Sequence, residues 1–161
     1  MRLRTAPIVA IAMALLTPAW ACAQSLAVKG LGGVSRTLSA ADLAALPHVE
    51  VKATEHGTTA TYQGVAVSDL TALVGAPHGE ALRGPALAEV LIVTAQDGYR
   101  VALTLAETDP MLRSDHIILA DRKDGQPLDA HEGPFRLIVE GDKRPARSAR
   151  QVVSLELKAG P

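Results

Sequence analysis

The sequence predicts a single α+β domain, rich in strands and with few, short helices. Three observations carry this reading. The apolar runs are brief, and Gly, Pro or Asp-Gly turns separate them. Asp97-Gly98 sits between the runs Val90–Ala95 and Tyr99–Leu105, and this dipeptide tolerates the positive φ of a tight hairpin turn. Only two segments carry helix-capping patterns, and Pro47 or Gly75 stops each of them early.

Residues 1–23 read as an export signal, with Arg2 and Arg4, an apolar run from Pro7 to Leu16, and Ala21-Cys22-Ala23 as an A-x-A cleavage site. That run is shorter than the ~20 residues a membrane span needs, and Pro18 follows it. Acylation at Cys22 is the alternative to removal, against which stands the bulky Trp20. Leu3 splits the two arginines, so the twin-arginine pair that exports folded, loaded proteins is missing. Passage to the periplasm by the general, unfolded route is therefore expected, leaving residues 24–161 as the domain.

Within the domain, Leu26–Lys29 and Val34–Leu38 read as strands around a Gly-rich turn. Ser39 is placed to cap a helix over Ala40–Leu46, with Asp42 at its third position. Val49, Val51 and Ala53 alternate with polar residues as in a half-buried strand, and Thr58–Tyr62 is expected to return beside it after His56-Gly57. Ser68 is read as the cap of a second helix over Asp69–Val74. A loop follows over Ala76–Pro85, then the Asp97-Gly98 hairpin, a short helical or turn segment over Ala106–Leu112, and strands at His116–Ala120, Arg136–Glu140 and Val152–Lys158. No internal repeat, heptad pattern or low-complexity tract interrupts this order.

Composition excludes several classes of function. The formal net charge is −1 and falls to about −3 without Arg2 and Arg4, so no global attraction to nucleic acid or anionic lipid is expected. After signal removal the aromatics are Tyr62, Tyr99 and Phe135, too few for a base-stacking platform. The chain's one cysteine is Cys22, so the domain offers no disulfide and no thiol. No G-x-S-x-G elbow is present, and Asp121, Asp124 and Asp129 miss the register of a calcium loop. The histidines at 48, 56, 78, 116 and 131 form no metal-binding spacing, and no metal site is expected.

The most informative stretch runs from Ile118 to Leu157. Two apolar runs, Ile117–Ala120 and Phe135–Val139, flank Asp124-Gly125, Pro127, Gly133 and Pro134, and the second opens into a loop with four cations in eight residues. Its order resembles the molybdopterin-binding core domain of the sulfite oxidase family. Ala120, Asp121, Gly125, Pro127 and Leu128 match that family's "A-Y-x-x-N-G-x-P-L" turn. Gly133, Pro134, Arg136, Val139 and Gly141 match "G-x-P-x-R-x-V-V-P-G", while Ala146, Arg147 and Arg150 match "A-R-x-V-K-W". Upstream, Tyr62-Gln63-Gly64-Val65 with Asp69-Leu70 and Gly75 is similar to "W-x-G-V-x-L-x-D-L-L-x-x-A-G". These segments span roughly residues 50–157.

The resemblance implies a molybdopterin cofactor and oxidoreductase chemistry, but it fails at one residue type. Catalytic members ligate molybdenum with a cysteine thiolate ahead of the "G-V" segment, a task suited to soft sulfur, and Val49–Thr61 contains no cysteine. The basic loop is the candidate binding site. Guanidinium groups pair bidentately with oxyanions, and the resemblance places cofactor and substrate contacts at Arg147 and Arg150, with Lys143 and Arg144 in support. The plainer alternative is a solvated loop balanced by Glu140 and Asp142. His56 follows the strand where a relative carries its metal ligand, and imidazole can replace thiolate for some metals; otherwise it is a turn histidine. Arg136, inside an apolar strand, needs a carboxylate partner, for which Asp121, Asp124 and Glu132 are candidates.

Two functions follow. The first is an exported, cofactor-free domain of this fold whose basic cleft binds a small anionic ligand or a periplasmic protein partner. The second is a molybdopterin-dependent oxidoreductase, or a subunit of one, that keeps the pterin through Arg147 and Arg150 with a non-cysteine metal ligand. Whether the chain is an enzyme stays open at this point.

Overall fold

The computed structural model describes residues 24–160. The expected signal, with Cys22, lies outside them. Two five-stranded sheets build the domain. The first has the order β2-β1-β10-β5-β6, from β1 (Leu26–Lys29), β2 (Ser35–Leu38), β5 (Val90–Ala95), β6 (Arg100–Thr104) and β10 (Val152–Lys158). In the second, β3 (Val49–Glu55), β4 (Thr58–Ala66) and β7 (Ile117–Lys123) run side by side. The far edge of β7 pairs with both β8 (Gln126–Pro127) and β9 (Arg136–Val139). Strands prevail because the apolar residues alternate at period two, as in β5 and β6, where every second side chain is buried.

The main core takes Leu26 and Val28 of β1, Leu91 and Val93 of β5, Leu155 and Leu157 of β10, and from the second sheet Leu119 of β7 and Leu137 of β9. A smaller cluster, Val51, Ala60, Tyr62, Ile118, Ala120 and Ile138, covers the opposite face of the second sheet. This second cover explains why β9 is buried at all four positions and why Leu137, Ile138 and Val139 follow one another without a polar break. Arg136 pairs opposite Ala120, which points its side chain to the smaller cluster, beside Tyr62.

Most expected elements form, with informative shifts. Ser39 caps α1 (Ala40–Ala44) through a reciprocal box with Asp42, so the expected helix is present but ends before Leu46. Strand β4 reaches Ala66, beyond the expected Tyr62, because it is paired on both edges, by β3 and by β7. It leads directly into α2 (Val67–Ala72), whose N-cap is Ala66 with no side-chain cap. Ser68 is therefore a buried residue inside the helix, not its cap; burial of Val67 starts the helix early. The Ala76–Pro85 region holds 3-10 turns at Gly79–Ala81 and Gly84–Ala88, and Leu105–Thr108 forms another, boxed by Thr104 and Glu107.

After β9 the chain folds back along the same strand. Leu137 N donates to Ala149 O and Val152 N to Phe135 O, both at 2.8 Å. This return carries the basic loop, with its 3-10 turn at Pro145–Arg147, between the second sheet and the tip of the β5–β6 hairpin.

Candidate functional site

The site is built around Arg136, which is 1% exposed. Its guanidinium donates to Glu55 Oε1 and to Tyr62 Oη at 2.9 Å, and its Nη1 forms an ion pair with Glu132 Oε1 at 3.0 Å. Glu132 Oε1 also accepts from Lys123 Nζ at 3.1 Å. Both cations lie near the Tyr62 ring, Arg136 at 5.3 Å and Lys123 at 5.6 Å from its centroid. Burial pushes the Tyr62 phenol above its ordinary range, against the lowering effect of Arg136, so it stays neutral and accepts the Arg136 hydrogen bond. Of the expected partners, Glu132 binds Arg136. Asp121 instead faces His48 at 3.3 Å, and Asp124 accepts from Thr61 N at 2.9 Å.

Above Arg136 opens a cleft of about 370 Å³. Its polar side is Arg136, His131 and Arg150, and its apolar side is Ala95, Tyr99, Pro145 and Ala149. Arg150 is the exposed cation, with Nη1 2.8 Å from His131 Nε2 and Nη2 3.9 Å from Glu55 Oε2. The buried Nε–H of Arg136 has no acceptor among the described residues. Two devices hold the walls. Gln151, in the left-handed region at φ 49°, donates from its side chain to Ala130 O at 2.7 Å and from its backbone to Glu132 O at 3.0 Å. Tyr99 Oη donates to Ala146 O at 2.7 Å, tying the hairpin tip to the basic loop.

The structure separates the four cations of the loop. Arg150 lines the cleft. Arg147 does not; it is clamped bidentately by Asp142, at 2.9 and 2.7 Å, and held by Glu107 Oε1 at 3.0 Å. The Asp142 hydrogen bond, then that of Glu107, raises its pKa further against burial. Lys143 and Arg144 are exposed and lie outside the cleft lining. His56 sits exposed at the β3–β4 turn with φ 48°, also outside the lining. The neighbour of His56 is what matters here. Glu55, which the sequence reading passed over, ends β3 within the stretch where the resemblance expects a thiolate, and that coincidence was its only sequence signal.

Arg147 supplies a pH prediction. Burial pushes the Glu107 carboxyl up, but Thr104 N–H at 2.9 Å, Arg147 at 3.0 Å and Thr104 Oγ at 3.2 Å outweigh it and hold the group below the usual carboxylate range. A pKa lower in the folded than in the unfolded chain stabilises fully above the unfolded value of ~4.3, and that contribution is lost as pH falls through the folded value. Glu107→Gln is expected to flatten the acid limb of stability, read as urea midpoints measured from about pH 6 down to about pH 3.

The donor set does not fit a thiolate-ligated molybdenum. Residues 24–160 contain no cysteine, and the Glu55 carboxylate is committed to Arg136. Among the described residues no group of three or more His, Cys, Asp and Glu side chains is gathered to hold a metal. None of the helices among the described residues is long and apolar enough to cross a membrane.

Comparison with known proteins places the fold. No curated protein matches the chain. Among solved structures, the sulfane dehydrogenase SoxCD from Paracoccus pantotrophus is similar, with a TM-score of 0.65 and 20% identity over 84% of this chain. The match covers 38% of the SoxCD chain. At that identity the likeness is one of fold. The sequence profile described as "Oxidoreductase molybdopterin binding domain" matches residues 17–160, and the chain belongs to that family.

Proposed function

We propose that this chain is an exported member of the family that works without molybdenum redox chemistry and binds a small anionic ligand, or an acidic group on a periplasmic partner, in the cleft beside Arg150. The observation that carries the reading is the cleft's charge arrangement. Arg136 and Lys123 match the partly buried carboxylates Glu55 and Glu132, while Arg150 stands at the opening with no short carboxylate contact. A guanidinium in that position pairs with an entering oxyanion at little reorganisation cost. The missing thiolate supports the same reading.

Family membership favours a second reading, a pterin-holding oxidoreductase or a subunit of one. Metal and pterin analysis of protein matured in its native compartment separates the two. Stoichiometric molybdenum overturns the first reading, and its absence together with no oxidation of sulfite overturns the second. Charge reversal locates the site. Arg150→Glu is expected to abolish anion binding while leaving the thermal midpoint close to that of the parent, because an exposed side chain away from the core contributes little to stability. Arg147→Glu, which breaks the clamp to Asp142 and Glu107, is expected to destabilise the domain.

A further inference from the structure

Resting on the anion-binding reading, we infer that the cleft accepts a small amphipathic monocarboxylate, its carboxylate toward Arg150 and Arg136 and its apolar body toward Tyr99. Three features select this chemistry.

The first is charge. Glu55 and Glu132 offset Arg136 and Lys123, which leaves Arg150 as the cation facing the cleft, with only a 3.9 Å approach to Glu55. Asp97 stands at the rim, its Oδ1 accepting from Tyr99 N at 2.9 Å. With Asp97 set against Arg150 these groups sum to zero, so an entering anion is carried at least cost when it bears a single charge. A dianion would leave negative charge uncompensated beside two partly buried carboxylates, which low-dielectric surroundings penalise.

The second is the set of open donors. The Arg136 Nε–H is buried without an acceptor, and Arg136 lines the cleft. Ser148, 8% exposed and also in the lining, accepts from Val139 N at 3.3 Å through Oγ, which leaves its hydroxyl proton to donate. Arg150 uses Nη1 on His131 and has only the long 3.9 Å approach to Glu55 at Nη2. A buried donor with no acceptor is costly, and a carboxylate oxygen supplies what it lacks.

The third is the opposite wall. Ala95, Pro145 and Ala149 present carbon, and Tyr99, 49% exposed with its hydroxyl tied to Ala146 O, presents a ring held in place. An aromatic face pinned through its polar end makes a surface for an apolar or aryl group. The cleft's volume, at the small end of the roughly 300–1,000 Å³ of ligand sites, suits a small acid and not a polymer.

Calorimetric titration with three probes, 3-phenylpropanoate, acetate and sulfate, tests the assignment. Phenylpropanoate is expected to bind, with acetate and sulfate each roughly tenfold weaker or worse. Arg150→Gln should weaken phenylpropanoate roughly tenfold. Tyr99→Ala should weaken phenylpropanoate and leave acetate unchanged, while Tyr99→Phe, which keeps the ring, should retain phenylpropanoate; circular dichroism establishes that each variant is folded. Sulfate binding as tightly as phenylpropanoate, or a folded Tyr99→Ala that binds phenylpropanoate like the parent, overturns the monocarboxylate assignment and leaves the anion-binding reading intact. No binding of any of the three overturns both.

Discussion

Arg136→Ala is expected to destabilise the domain by about 3–5 kcal/mol, the range for removing one partner of a buried ion pair. The loss does not measure the attraction between the charges. Glu55 and Glu132, whose side chains are 14% and 10% exposed, would remain in place without the guanidinium, and Tyr62 would lose its hydrogen-bond donor. Water cannot reach these groups well enough to replace what is removed. Urea denaturation measures the effect, and a triple variant separates its causes. Adding Glu55→Gln and Glu132→Gln to Arg136→Ala should recover a large part of the loss, because neutral amides can stay buried at lower cost. If Arg136→Ala alone costs under ~1 kcal/mol, the cluster is open to solvent and the charge balance drawn for the cleft fails.

Gly64→Ala is expected to fall at or above the upper end of the roughly 1–3 kcal/mol typical of overpacking. Gly64 lies where the β4–β7 register shifts, and a Cβ there would stand 2.2 Å from Leu119 O and 2.4 Å from Ala120 Cα. Both obstacles are backbone, so no rotamer change relieves them, and β4 must part from β7 to make room. A contrasting variant isolates the steric cause. Gly57 has open space around it but φ 83°, so Gly57→Ala should cost only the left-handed strain of about 1–2 kcal/mol. Equal losses at the two positions, read from urea midpoints, would mean that the close approach of the strands is not what excludes a side chain at Gly64.

The two variants mark the boundary between what local sequence encodes and what the register decides. The Asp97-Gly98 hairpin, the Ser39 and Asp42 box and the alternating strands are legible because their causes lie within a few residues. The Arg136 site was half legible. Glu132 is near in sequence and was named as a partner, but Glu55 reaches Arg136 only because β4 pairs β3 on one side and β7 on the other. In the basic loop, sequence shows four cations and cannot show that Glu107, across the fold, engages Arg147 and leaves Arg150 as the cation at the cleft. The Tyr99 link to Ala146 was equally hidden, since no local pattern joins a hairpin tip to a distant carbonyl.

In the first sheet, β1 lies between β2 and β10, and β10 joins it to β5, with Ala27 opposite Ser154 and Leu155 opposite Val93. The strand at the middle of that layer is thus the last of the described strands to emerge from the ribosome. Until it arrives, the amino-terminal hairpin and the β5–β6 hairpin have nothing between them, and closing so long a loop is an entropic cost met late. A nascent chain that stops short of Val152 cannot knit this layer, so its assembly waits until Val152–Lys158 has emerged.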